Sequence, residues 1–399
     1  MINIAILGYG VIGSGVYTVI NENQATVSKS AGDEVRVKAV LDLRDFPGSP
    51  VEKVLTHDVN DILNDDEIDI VVEVMGGTGA AYKFVKAALL AGKSVVTSNK
   101  ALVAAYGPEL IQIAKEKNIN FMFEASVGGG IPIIRPLLRC LNADVLLEIS
   151  GILNGTTNFI LSKMYDEGSA FEPTLKEAQA NGYAEADPTA DVEGADACRK
   201  IAILTALANG RYVDFEDLSC KGITAITDTD IAYAKALNKK IKLLATSRLA
   251  DGKIYGEVAP CMIDSSNPLY AVDGVMNAIL VKGNMLGNVM FYGAGAGSLP
   301  TASAVVSDII CECRHLHENL PVEMKSEKLD IADSGELADR YFIRMSADTV
   351  VPKSIPIECE ITIPQAQDEK AVITDMITGN DLNAALGQMS GMIGYIKVR

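Results

Sequence analysis

The opening run MINIAILGYGVIGSGV restricts the fold of this chain more than any other stretch. Residues 2–7 are almost unbroken apolar sequence, the pattern of a strand buried on both faces of a parallel sheet. Gly8, Gly10 and Gly13 follow at once as GxGxxG, and VYTVI continues as a helix. In such a unit the first glycine permits a tight turn and the second lets backbone approach a pyrophosphate. The third lets helix and strand pack closely, and the helix N-terminus offers unpaired N–H groups to the phosphates. Alone the pattern is weak; after a β-run and opening a helix it predicts a dinucleotide-binding unit.

The second strand is expected at residues 35–43, ending where a bound adenosine ribose would lie. Asp42, Arg44 and Asp45 stand there. An acid suits the free 2′-hydroxyl of NAD and an arginine suits the 2′-phosphate of NADP, so both coenzymes stay open. Strands at 68–75, ending at Gly76 and Gly77, and at 94–97 alternate with helical segments, which predicts a doubly wound parallel sheet. Lys100 falls just beyond the carboxyl end of a strand, where ligands bind in such sheets; a solvated loop lysine explains its position equally well.

Composition narrows the function classes. With 399 residues and 48% hydrophobic content, the chain has core enough for two or three domains. A net charge of −17 argues against nucleic acid and anionic membranes as partners. No run approaches the length of a membrane span, and the chain begins directly with a strand, so a soluble cytoplasmic protein without a leader is expected. The seven cysteines lack metal-ligand spacing; Cys311 and Cys313, near His315 and His317, would scatter around a helix. The third histidine, His57, also lacks a neighbouring nucleophile or glycine-rich turn, so proton chemistry is expected from lysine or carboxylate side chains.

The stretch Tyr183–Lys200 holds Glu185, Asp187, Asp191, Glu193 and Asp196, then Arg199 and Lys200. Crowded carboxylates are either a wet acidic loop or a site for an ammonium group or metal. From about Asp191 the sequence turns into an apolar-periodic helix, on which Asp196 and Lys200, four apart, share a face. A surface ion pair would explain them, but a charged pair at the mouth of an apolar helix is a catalytic candidate. Carboxylates holding a substrate ammonium and a lysine moving a proton suit nicotinamide chemistry on an amino-bearing substrate.

The expected organisation is a Rossmann-type domain over 1–135, completed by 293–320, and an α+β substrate-binding and dimerisation domain over 136–292. The glycine-rich turn at 293–297 opens a helix back into the first domain and is read as a second close backbone approach to the cofactor. An acidic linker at 321–340 leads to a small antiparallel α+β module over 341–399.

At this point a family resemblance becomes specific. GYGVIGSGV, TSNKALVA, FEASVGGGIPII, GILNGTTNFIL, GYAEADPTADVEGADACRKIAIL and GAGAGSLPTASAVVSDI together make residues 2–318 resemble the homoserine dehydrogenases. The resemblance implies NAD(P)-dependent interconversion of L-aspartate 4-semialdehyde and L-homoserine, in threonine, methionine and isoleucine biosynthesis. It implies acid/base chemistry by Lys200 with Asp196 one turn before it, and a second active-site lysine at Lys100. Glu185, Asp191 and Thr156 would bind the substrate. Gly8, Gly10, Val11, Ile12, Gly13, Arg44, Gly76, Thr97, Lys100 and Gly297 would meet the nucleotide. Glu124, Val127, Gly129 and Ile131 would hold a structural monovalent cation such as sodium, mostly through backbone carbonyls.

A homodimer or homotetramer is implied as well. The C-terminal module resembles an ACT regulatory domain, but only DTVVPKS stands where that pattern has a DxPG turn and its first helix, leaving effector binding and dimer contacts both open. Any aspartate kinase is expected on a separate chain. The rivals are another small-amino-acid dehydrogenase and a catalytically inactive nucleotide-binding amino-acid sensor; the acidic pair argues against the first, Lys100, Asp196 and Lys200 against the second.

Overall fold

The computed structural model describes residues 1–399. Met1–Asp144, Ala202–Asp214 and Phe291–Leu329 form one unit, and Val145–Ile201, Phe215–Met290 and Asp330–Arg399 form the other.

The first unit is built on six parallel strands: β1 (Ile2–Leu7), β2 (Val35–Leu41), β3 (Leu55–Thr56), β4 (Ile70–Glu73), β5 (Ser94–Thr97) and β6 (Phe121–Met122). Their order is β3-β2-β1-β4-β5-β6, the doubly wound arrangement that the alternating strand and helix segments predict. The order reverses between β1 and β4, so the crevice at the carboxyl ends of these two strands is where a ligand fits. Ile4, Ile6, Ile70 and Val72 are buried because helices cover the sheet, which is why these strands read as continuous apolar runs.

One of those helices comes from late in the chain. Helix Ser298–Cys313 brings Ala302, Val305 and Ile309 into the same core as Val16 and Ile20 of helix Val11–Glu22. Gly15 is the point of contact: a Cβ there would lie 2.7 Å from Ser298 Oγ and 3.1 Å from Ala302 Cβ. The hydroxyl of Ser298 donates to the Val11 carbonyl at 2.7 Å. Residues 293–297 also approach the loop at 128–130, where Gly130 N–H donates to the Ala294 carbonyl at 3.0 Å.

The second unit holds a mixed sheet. Its main path runs Gly287–Ala294 (of which Phe291–Ala294 count with the first unit), Met276–Gly283, Leu146–Ile152, Lys240–Ala250, Lys253–Ile263, Met392–Val398, Ala338–Ser346, Glu369–Thr374 and Ile357–Ile361. The C-terminal strands pair antiparallel with one another, and they also join the neighbouring strands: Cys261 and Met262 pair with Lys397 and Val398. Between Ser346 and Ile357 the chain makes turns and no helix. The stretch expected as a linker, 321–340, contains two short strands, Lys325–Lys328 and Ile331–Ala332, and a tight turn at Ser334–Glu336. Buried charge ties this join together: Lys397 lies 2.7 Å from Glu257 and 3.2 Å from Asp339, and Arg399 also reaches both carboxylates.

The glycine turn supplies a direct test of the packing. A Cβ on Gly13 would stand 1.9 Å from the Gly8 carbonyl oxygen, whereas one on Gly10 meets nothing within 4 Å. Gly13→Ala should therefore lower the thermal midpoint by roughly 5 °C, the scale of an overpacked contact in a chain of this size. Gly10→Ala should leave it unchanged. Scanning calorimetry of the two variants side by side checks this.

Candidate active site

In the first unit the end of β1 turns at Gly8, whose φ of 97° is open to glycine but strained for other residues. Gly10 caps helix Val11–Glu22 with no side-chain bond, so Val11, Ile12 and Gly13 start the helix with N–H groups left for a ligand. Asp42 reaches back from the end of β2 and accepts from Tyr9 N–H at 2.8 Å. The same carboxylate takes the backbone N–H and Nε of Arg44 at 3.0 and 2.9 Å. Arg44, foremost, holds that carboxyl well below the usual range. The Arg44 side chain is itself 61% exposed and lies over the Phe46 ring. Gly8, Gly10, Asp42, Arg44, His57 and Gly76 line one cleft of about 640 Å³ at the carboxyl end of this sheet.

Three other expected nucleotide residues lie outside the lining of this cleft. Thr97 is fully buried, its hydroxyl donating to Glu73 Oε2 at 2.6 Å and accepting from Asn99 N–H at 2.9 Å. It supports the loop after β5 and does not open onto the cleft. Lys100 is half-buried at the first position of helix Lys100–Glu116, directly behind the cap Asn99. Gly297, with φ 117°, precedes helix Ser298–Cys313.

In the second unit the acidic stretch folds into a short helix, Thr189–Val192, a left-handed Gly194, and only then the helix Ala195–Asn209. The helix thus starts four residues later than its apolar pattern suggests, because Gly194 resets the chain direction. Asp196 and Lys200 are only 3% and 8% exposed. Lys200 Nζ donates to Asp196 Oδ2 and to the Leu153 carbonyl, each at 2.7 Å. Asp191 stands alongside, half-buried: its Oδ1 accepts from Asn154 Nδ2 at 2.8 Å and its Oδ2 lies 3.2 Å from Thr156 Oγ1. Burial, then the charge of Asp196, pushes the Asp191 carboxyl up, while Asn154, Thr156 and Lys200 pull it down. Glu185 remains exposed on the preceding loop, where its carbonyl accepts from Gln179 Nε2 at 3.1 Å. The structure therefore gathers Thr156, Asp191, Asp196 and Lys200 and leaves Glu185 outside that cluster.

A family model described as homoserine dehydrogenase matches residues 132–310, and one described as the homoserine dehydrogenase NAD binding domain matches residues 8–124. A homoserine dehydrogenase of Neisseria gonorrhoeae is 42% identical over 358 residues, 87% of this chain and 82% of that protein. The chain belongs to the homoserine dehydrogenase family. The solved homoserine dehydrogenase of Thiobacillus denitrificans resembles it with a TM-score of 0.91 at 37% identity, covering 100% of this chain and 98% of that one. A hyperthermophilic archaeal homoserine dehydrogenase solved in complex with NADPH covers 81% of this chain and 99% of its own, with a TM-score of 0.67 at 31% identity. The chain is an NAD(P)-dependent oxidoreductase, and the reading as an inactive sensor finds no support.

Two residues of this homoserine dehydrogenase fold escape a reading of the sequence. Glu73, fully buried at the end of β4, accepts from Met75 N–H at 2.8 Å as well as from Thr97, so one carboxylate orders the loops after two strands. The acid inside the apolar run IVVEVM is the signal that could have found it. Asn154 bridges Asp191 and Asp196 through Nδ2, at 2.8 and 2.9 Å, while its Oδ1 accepts from Thr157 N–H at 2.9 Å and caps helix Gly155–Glu167. Its signal is the cap pattern of an asparagine before Gly-Thr-Thr.

The cation loop lies in the first unit. The Glu124 carboxylate is filled by the N–H groups of Ile133, Ile134 and Arg135, at 2.6, 2.7 and 2.8 Å, so this residue has only its carbonyl left to offer a cation. The loop's bonds to Ser126, Gly130 and Ile131 N–H come from the carbonyls of Phe123, Ala294 and Gly128, which spares those of Val127, Gly129 and Ile131. A set of carbonyls suits a hard monovalent cation.

Beneath this loop Asp308 accepts from Glu124 N–H at 2.8 Å. Burial pushes its carboxyl from the ordinary 3.8 up to about 7, against Arg135 and with the help of Glu124. The folded state then binds a proton that the unfolded chain has lost, so stability should fall as pH rises from the ordinary carboxylate range towards neutrality. Asp308→Asn should flatten that part of the curve of thermal midpoint against pH, measured by circular dichroism for both proteins.

Proposed function

We propose that this chain interconverts L-aspartate 4-semialdehyde and L-homoserine by direct hydride transfer, with Lys200 as its acid/base. The observation that carries this is the buried Lys200 ammonium, held at 2.7 Å by both Asp196 and the Leu153 carbonyl beside the half-buried Asp191. Two of its three donors are spent on those bonds, which leaves one to meet a substrate oxygen. Bound NAD(P) supplies or accepts the hydride. Lys200 gives a proton to the developing alkoxide, or takes one from the hydroxyl in reverse, directly or through a water it positions. Asp196 keeps the ammonium oriented through a charge-assisted hydrogen bond. Asp191 accepts the substrate ammonium, with Glu185 closing from its loop and Thr156 orienting the carboxylate of Asp191. Lys100, at the N-terminus of its own helix in the first unit, is the second active-site lysine in this reading.

For the coenzyme, the occupied Asp42 carboxylate and the exposed Arg44 guanidinium favour a 2′-phosphate over a free 2′-hydroxyl, hence NADP. The spared carbonyls of Val127, Gly129 and Ile131, with that of Glu124, fit a bound sodium ion of structural role. The seven free thiols suit a reducing cytoplasm, and no helix is long and apolar enough to cross a membrane. A homodimer or homotetramer is the assembly proposed.

Lys200→Ala should reduce kcat about a thousandfold, within the range of general acid–base catalysis, while titration of NADPH fluorescence returns an unchanged Kd. An equal loss in both would make Lys200 a structural residue. Arg44→Ala should raise KM for NADPH about tenfold, the loss of one charge-assisted contact, and leave KM for NADH nearly unchanged. Initial rates with aspartate semialdehyde and each coenzyme measure the ratio.

A further inference from the structure

Asp191 and Asp196 bring two carboxylates to one small volume, where Lys200 is bonded to Asp196. Like charges so placed push each other towards protonation, and burial adds to the push. Something neutral has to separate them and still satisfy their oxygens. The group that does so is the Asn154 amide, 6% exposed, whose single nitrogen lies 2.8 Å from Asp191 Oδ1 and 2.9 Å from Asp196 Oδ2. An amide nitrogen carries two N–H donors, so both bonds can be made at once. Asp196 Oδ2 is also the oxygen that receives Lys200, at 2.7 Å.

The other end of the amide is fixed just as firmly. Asn154 Oδ1 accepts from Thr157 N–H at 2.9 Å and lies 3.0 Å from Thr157 Oγ1. The amide therefore cannot flip without losing the cap of helix Gly155–Glu167. The residue before it, Leu153, supplies the carbonyl that holds Lys200. Two consecutive residues at the end of strand Leu146–Ile152 thus set the positions of both acids and of the lysine.

We infer that Asn154 is a positioning residue that holds Asp191 and Asp196 in place and apart, so that one holds the substrate ammonium while the other orients Lys200. The inference rests on the proposed roles of Asp191 and Lys200. The charged groups acting on Asp191 are Asp196, which raises its pKa, and Lys200, which lowers it; Asn154 and Thr156 act through hydrogen bonds. Removing the amide takes away a donor that favours the charged form. The ammonium acceptor then becomes protonated at higher pH.

Two substitutions separate this role from simple helix capping. Asn154→Asp keeps a good cap but loses the amide donors and adds a carboxylate; Asn154→Ala loses both cap and donors. The measurements are kcat and KM for L-homoserine with NADP across pH 6 to 10, together with the thermal midpoint of each variant. Both variants should raise KM about tenfold at neutral pH, as expected for a lost bond to a charged group, and should move the acid limb of kcat/KM upward. The shift should be larger for Asn154→Asp, which adds a third carboxylate to the pair.

If both variants lose only stability or kcat, with KM and the acid limb in place, Asn154 is a cap and the inference is wrong. Asp191→Asn, measured in parallel, tests the reading beneath it. Should Asp191→Asn leave KM for homoserine untouched, the assignment of the ammonium site fails, whatever the Asn154 variants do.

Discussion

A buried ammonium is tolerated only where acceptors replace its water, and the second unit is arranged around meeting that demand for Lys200. One acceptor comes from a strand end, the Leu153 carbonyl, and the other from Asp196 one helical turn away. Asp196 accepts through its Oδ2 from the same lysine and from Asn154. Each group is affordable inside the protein only because the others are fixed, which is why strand, cap and helix must meet at one place. Charge, rather than apolar surface, sets the register of these three elements.

The first unit uses carboxylates in a related way, to tie loops. Asp42 fastens the glycine-rich turn to the end of β2 through Tyr9, and Glu73 fastens the loops after β4 and β5. Each acid stands at the end of a parallel strand, where backbone N–H groups of the next loop are left unpaired. These bonds fix the loops at the carboxyl end of the sheet.

How much of this could be read in the sequence depends on the kind of signal. The Rossmann sheet was legible because its strands are near-continuous apolar runs and its glycines stand at fixed offsets, Gly8, Gly10 and Gly13. Asp196 and Lys200 were legible because four-residue spacing on a helix leaves few alternatives. The hydroxyl of Thr97 bonds to a buried acid, and nothing in TSNK says whether a threonine side chain faces a cleft or such an acid. Glu73 and Asn154 were missed for the same reason. The Thr97 partner of Glu73 lies 24 residues away in sequence, and the two acids that Asn154 bridges lie 37 and 42 away; local periodicity carries no information about such contacts.

The two glycine loops place a limit on how this protein can diverge. A side chain blocked by another side chain can be rescued by shrinking its neighbour. Gly13 faces the carbonyl oxygen of Gly8, and Gly129 faces that of Gly295, with a Cβ at 1.9 and 2.4 Å respectively. A carbonyl oxygen cannot be made smaller by any codon. At these two positions compensation by a second substitution is closed off, and change has to pass through a movement of the backbone itself.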